Sequence, residues 1–180
     1  MSYSAAPSGV WQQQAHFIGT QAAGGQWSSM IVDGAAGEGA WPTADRAIYQ
    51  PIRVPIRCIV RKLYVATGGT GTGNFDIGLY NLSGSRLVSS GSTAHPATYT
   101  VTVADVTDTT IGPGTYWIAV ACSNNTDTFY YSTPAAPMAT ALGVLTQTSA
   151  MALPATATFS ITQSLAVLPV CGLFLTTLES

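Results

Sequence analysis

From Arg46 onward, apolar and polar residues alternate in runs separated by Gly, Pro, Asn and Ser. Side chains on a strand point alternately to its two faces, so a period of two marks half-buried β-strands. Ile52, Val54, Ile56, Cys58 and Val60 share one parity, while Arg53, Pro55, Arg57, Ile59 and Arg61 share the other. That pattern predicts one half-buried strand, with prolines suited to a sheet edge. Leu63 and Val65 then take over as inward residues, a parity flip that predicts a bulge or bend near Arg61 and Lys62.

Gly68-Gly-Thr-Gly-Thr-Gly73 reads as a flexible connection between sheets, leading into a strand in which Phe75, Ile77 and Leu79 alternate with smaller or polar residues. Leu82-Ser-Gly-Ser85 predicts a tight turn that closes a hairpin with Arg86-Leu-Val-Ser89. Tyr99, Val101 and Val103 alternate with Thr98, Thr100 and Thr102 in the next strand. Gly112-Pro-Gly114 forces a turn, after which Tyr116, Ile118, Val120 and Cys122 face one way and Trp117, Ala119 and Ala121 the other. Thr128-Phe-Tyr-Tyr-Ser132 is a further short strand, whereas 134–154 is Ala- and Pro-rich with only Leu142, Val144 and Leu145 as a weak strand. Residues 165–175 are apolar on both parities and need cover on both faces, by the second sheet and by a neighbouring subunit or the N-terminal segment. Leu173 and Leu175 are therefore candidate interface residues.

At least seven short strands, and no window of helical period, predict an all-β fold over 46–180: an antiparallel two-sheet sandwich, jelly-roll-like. Residues 1–45 are rich in Gly, Ala, Ser and Gln without sustained periodicity, yet carry Trp11, Phe17, Trp27 and Trp41. A free disordered tail has few aromatics, so this stretch reads as an extended attachment arm. Its Trp11, Trp27 and Trp41 are expected to insert into grooves of a partner.

Composition adds one strong fact. Charged residues make up 8% of the 180-residue chain, against an average of about 25%. A surface built from Ser, Thr, Asn, Gln and Gly does little to hold copies apart by charge, which favours an assembling protein. The net charge of -2 provides no footprint for nucleic acid or anionic lipid, so neither is an expected partner. Neither a secretory leader nor a membrane span is expected, since the opening residues lack a basic and apolar pattern and no apolar run reaches about 18 residues. Cys58, Cys122 and Cys171 each lie in an apolar run with no CxxC, and read as free buried thiols rather than metal ligands or a disulfide framework.

Candidate chemistry is sparse. His16 and His95 are the only histidines and read as lone loop residues, and no G-x-S-x-G elbow occurs. Asp76, Asp105, Asp108 and Asp127 form no recognisable acidic pair for glycoside hydrolysis, and Asp105 and Asp108 read as loop residues capping a turn. The glycine run leads into a strand and lacks the lysine of a phosphate loop. No enzymatic activity, cofactor or metal is expected. Arg53, Arg57 and Arg61, on one parity, would either pair with carboxylates of another subunit or discourage strand addition at an edge. Trp117, Phe129, Tyr130 and Tyr131 offer aromatic area for a sugar or a partner chain, although alternation must put about half of them in the core.

Asn74-Phe-Asp-Ile-Gly-Leu-Tyr-Asn-Leu-Ser-Gly-Ser-Arg-Leu-Val-Ser-Ser-Gly91 and Ile111-Gly-Pro-Gly-Thr-Tyr-Trp-Ile-Ala-Val120 carry a resemblance. The stretch 46–132 resembles β-sandwich accessory proteins of tailed bacteriophages, with their D-I-G-L-Y strand, short Gly turn and later P-G-T-Y strand. Carbohydrate-binding modules use similar phrases. The resemblance implies a virion surface protein made in the bacterial host cytoplasm: a head decoration (cement) protein, head fibre or tail appendage, without catalytic residues. Its implied partners are copies of itself, with a homotrimer as the expected oligomer, and the major capsid or tail protein. A glycan-binding module that contacts the host surface is the alternative.

Overall fold

The computed structural model describes residues 17–18, 25–28, 37–134, 136–161 and 167–177. In chain order the strands are β1 (Phe17–Ile18), β2 (Gly25–Ser28), β3 (Gly37–Ala40), β4 (Arg46–Val54), β5 (Cys58–Thr67), β6 (Asn74–Tyr80) and β7 (Arg86–Ser89). There follow β8 (Thr93–Ala94), β9 (Thr100–Ile111), β10 (Gly114–Cys122), β11 (Thr128–Ser132), the short helix α1 (Ala136–Ala141), β12 (Leu145–Gln147), β13 (Leu168–Pro169) and β14 (Cys171–Thr177).

Of the described residues strand accounts for 57% and helix for 4%, and the strands form two antiparallel sheets packed together, the sandwich that the period-two pattern predicts. One sheet runs β1-β2-β14-β5-β11-β13, with β9 on the other side of β5 and β3 on β11. The other runs β12-β4-β10-β6-β7, with β8 on β6. Between them lies the main core, in which Ile48, Ile52, Leu63, Phe75, Ile77, Leu79, Ile118, Phe129 and Leu173 are fully or almost fully buried.

Several strands read from the sequence are found where expected. β6 and β7 form the hairpin, whose turn takes a left-handed backbone at Gly84 (φ 85°). Asn81 closes it through its Oδ1, which accepts from Ser85 N at 2.9 Å. β10 is the middle strand of its sheet, and its two parities divide as predicted: Ile118, Val120 and Cys122 enter the main core, Ala119 and Ala121 a second cluster. The pairing of β5 with β9 shifts register between Val60 and Lys62, at the predicted bulge.

Other expectations need correction. The run 52–60 is two strands, not one: β4 ends at Val54 in one sheet, β5 begins at Cys58 in the other, and Ile56 is exposed between them. Pro55 supplies no N–H and fixes its own φ, so the chain turns the corner between sheets there. The expected weak strand in the Ala- and Pro-rich stretch is reduced to β12 and preceded by α1, a helix that the period-two reading missed. Gly143 (φ 79°) ends that excursion.

Residues 148–160 cover the outer face of the β4-β10-β6 sheet as a strap. Ala150 and Leu153 of the strap pack on Ala47, Tyr49, Tyr80, Ala119 and Ala121. The Phe159 ring meets Tyr49 edge-on at 5.1 Å. Gly78 makes room for the strap, since a Cβ there would come within 2.9 Å of the Leu153 side chain. Polar groups tie it down: Tyr80 Oη donates to Pro154 O at 2.7 Å and Leu153 N donates to Asp76 Oδ2 at 3.0 Å. Arg86 Nη1 donates to the Leu153 carbonyl, and Ser90 Oγ donates to Asp76 Oδ1 at 3.1 Å. Burial pushes the Asp76 carboxyl up, and the hydrogen bonds from Leu153 and Ser90 and the charge of Arg86 offset only part of that rise.

Candidate interaction surface

The residues singled out as interface candidates do not gather on one surface. Trp11 lies outside the described residues, and Trp27 sits on β2, opposite Leu173 in register. Trp41 does not reach for a partner. It is buried in this chain's own core, its ring edge-on to Phe129 at 5.1 Å and its Nε1 donating to Arg46 O at 3.0 Å. An aromatic side chain that finds a core within its own chain has no apolar area left to offer elsewhere. β3 pairs with β11, so residues 37–45 belong to the sandwich and not to an arm.

Leu173 and Leu175 are likewise buried in the main core, because β14 is an interior strand between β2 and β5. The chain's own second sheet covers the parity of Cys171, Leu173 and Leu175, while Phe174 on the other parity lies against Tyr64 and is only part-buried. Arg53, Arg57 and Arg61 do not line one strand: Arg53 is exposed on β4, Arg57 on the corner at 55–57, and Arg61 on β5. Arg61 pairs within the chain, Nε to Asp108 Oδ2 at 3.4 Å, and Lys62 Nζ pairs with Asp105 Oδ1 at 2.9 Å. Asp105 and Asp108 therefore stand on strand β9, not in a turn-capping loop.

The sequence pattern showed β9 as an alternating strand but did not single it out as a candidate surface. Its register on β5 sets Thr102 beside Val65 and Ala104 beside Leu63, facing inward. Thr102 Oγ1 hydrogen-bonds the buried Thr67 Oγ1 at 3.1 Å. Tyr99, Val101 and Val103 consequently point outward, 66%, 52% and 43% exposed. Asp105 shares their parity and belongs with its Lys62 partner on the wet side. Read two residues beyond Val103, that aspartate is the sequence signal that orients the strand.

The Tyr99 end of β9 meets the glycine loop and β3. The ring lies against Gly69, where a Cβ would come within 2.7 Å of it, and faces Tyr130 edge-on at 6.4 Å. Glu38 Oε1 accepts from Gly69 N at 2.8 Å and Thr128 Oγ1 at 2.6 Å, and the Tyr99 hydroxyl is a further partner. Those hydrogen bonds, Thr128 foremost, hold the Glu38 carboxyl below its usual range, and the bond to Glu38 pushes the Tyr99 hydroxyl up.

The glycine loop is held at many points. Asp127 Oδ1 accepts from Thr72 N at 2.8 Å and its Oδ2 from Gly73 N at 3.1 Å. Burial pushes the Asp127 carboxyl up, but the hydrogen bonds from Thr72, Asn124 and Gly73, with the nearby His95, hold it below the usual range. His95 is buried under Gly71, not on the surface as a loop histidine would be. Ala97 N donates to its Nδ1 at 3.1 Å, which leaves the ring proton on Nε2 to donate to Thr128 O at 2.9 Å.

Cys58, Cys122 and Cys171 are buried and form no disulfide, Gln50 Nε2 donates to Cys171 Sγ at 3.7 Å, and burial pushes the Cys122 thiol up to about 12. Among the described residues no three His, Cys, Asp or Glu side chains are grouped to hold a metal ion, and no helix is long and apolar enough to cross a membrane. The fold is thus that of an all-β two-sheet sandwich. Compared with family models, curated proteins and solved structures, the chain matches none.

Proposed function

We propose that this chain is a non-enzymatic structural protein of a tailed bacteriophage virion, made in the host cytoplasm and assembled as a homo-oligomer on the capsid surface in the manner of a decoration or cement protein. The observation that carries the reading is β9, which among the described residues pairs on one side only and turns Val101 and Val103 to solvent. Proteins that live as free monomers blunt such edges. With charged residues at 8% of the chain, little electrostatic repulsion opposes assembly. The major capsid or tail protein is the second partner, for which Trp11 and Trp27 remain candidate anchors.

One observation favours the alternative of a glycan-binding module. Tyr99, Tyr130 and Glu38 form an exposed corner in which two rings and a carboxylate are held in place. Rings present rigid area at low entropy cost, and a carboxylate accepts hydroxyl hydrogens. The two readings separate on the particle. Gold-labelled antibody to the chain, applied to purified particles of the phage whose genome encodes it, is expected to decorate the head surface. Label on the tail tip alone favours the glycan reading, and unlabelled particles overturn both.

A further inference from the structure

We infer that β9 is the strand through which two copies of this chain join, edge to edge and antiparallel across a two-fold axis. The inference rests on the reading of the chain as an assembling protein and goes beyond it by naming the strand, the partner and the symmetry. β9 pairs with β5 on one side, and among the described residues no strand pairs with it on the other. Its first five residues, Thr100–Ala104, include no charged residue and no Pro, with which edges are commonly blunted, and Asp105, Asp108 and the register shift lie beyond them. The register shift opposite Val60 and Lys62 twists the second half of the strand, which leaves 100–105 as the flat stretch, paired to β5 without interruption.

That stretch suits a second copy better than an unrelated chain. Val101 and Val103 lie at its middle, the Tyr99–Glu38 corner at one end, and the Lys62–Asp105 and Arg61–Asp108 pairs toward the other. A two-fold axis passing between positions 101 and 103 sets the valines of one copy against those of the other. It also opposes Asp105 of each copy, already paired with Lys62 of its own chain, to Tyr99 of its mate. Registers centred further along would oppose Asp105 or Asp108 to themselves, which like-charge repulsion disfavours. An isologous contact of this kind closes on two subunits, not on the three that the phage resemblance implies.

The test is sedimentation equilibrium on the full chain, with two surface variants. The native protein is expected to show a concentration-dependent monomer–dimer equilibrium. Val103→Lys should weaken it by roughly tenfold or more, since it sets like charges across the axis, while Ile161→Lys, more exposed still but off the strand, should leave it intact. A cysteine variant guards against misfolding: Val101→Cys with Val103→Cys, oxidised with diamide, should give a disulfide-linked dimer whose peptide map joins β9 to β9. A persistent monomer, a trimer, a dimer indifferent to Val103→Lys, or a map joining β9 to residues 1–36 would each overturn the inference. A β9-linked dimer from a gene whose particles carry no antibody label would support it while sinking the virion reading. Labelled particles with a monomeric protein would do the reverse.

Discussion

β9 and β10 follow one another in the chain, joined at Gly112-Pro113-Gly114, yet they meet opposite fates. β10 sits in the middle of its sheet with Ile118 and Val120 in the main core and Ala119 and Ala121 under the strap. β9 lies at an edge, turning threonine and alanine inward and tyrosine and valine outward. Both strands alternate strongly in sequence. The lesson is that alternation defines two faces, and the neighbours decide which face is covered. For β10 the chain provides both covers itself, while for β9 the outward Val101 and Val103 stay exposed.

The comparison breaks most readily at the covered positions. Trp41→Ala should cost about 3–5 kcal/mol in denaturant unfolding, because a fully buried indole leaves a cavity and orphans Arg46 O; an arm residue docked on a partner would cost the isolated chain almost nothing. Ile118→Ala, on β10, should cost about 2–5 kcal/mol by the same measurement.

Tyr80→Phe should cost about 1–2 kcal/mol, since it removes the donor to Pro154 O and leaves a part-buried carbonyl unsatisfied. Limited proteolysis should then cut faster within 148–160, and an unchanged cleavage rate would mean that the strap is not held there.

Two buried carboxylates should respond to pH with opposite sign. Asp76 is raised above its ordinary 3.8, so the folded state keeps its proton longer and stability falls as pH climbs from 3.8 through the folded value. Asp127 is lowered below 3.8, so its contribution is present above 3.8 and is lost as pH falls through the folded value. Asp76→Asn should therefore remove a decline above 3.8, and Asp127→Asn a rise below it, in unfolding curves taken between about pH 3 and 7. Curves that shift in parallel would contradict this assignment. The smallest effect is expected at β9, where Val103→Ala should change stability by no more than about 0.5 kcal/mol, because an outward side chain gains little from folding.

The candidate surface was legible only in part. The sequence pattern presents Tyr99, Val101 and Val103 as a clean amphipathic parity, and it carries the clue to their direction in Asp105, which shares that parity. With Asp105 taken for a loop residue the clue is lost. Glu38 could not be connected to Tyr99 at all, because 61 positions separate them and only the pairing of β3 with β11 brings them together.

By itself the sequence determined what local chemistry can determine: strand parity, the Gly84 turn, the bulge beside Lys62, the inward and outward division of β10 and the all-β class. These depend on the alternation of side chains along a strand and on backbone angles that glycine tolerates, both readable within a few residues. Tertiary structure alone decided that Trp41, Leu173 and Leu175 face inward and that the strap covers β10. It also settled that Pro55 ends one sheet's strand before the next begins in the other, and that the valines of β9 face solvent. An apolar residue carries the same hydrophobic drive whether its own chain or another covers it, and only the placement of distant strands determines which of them does.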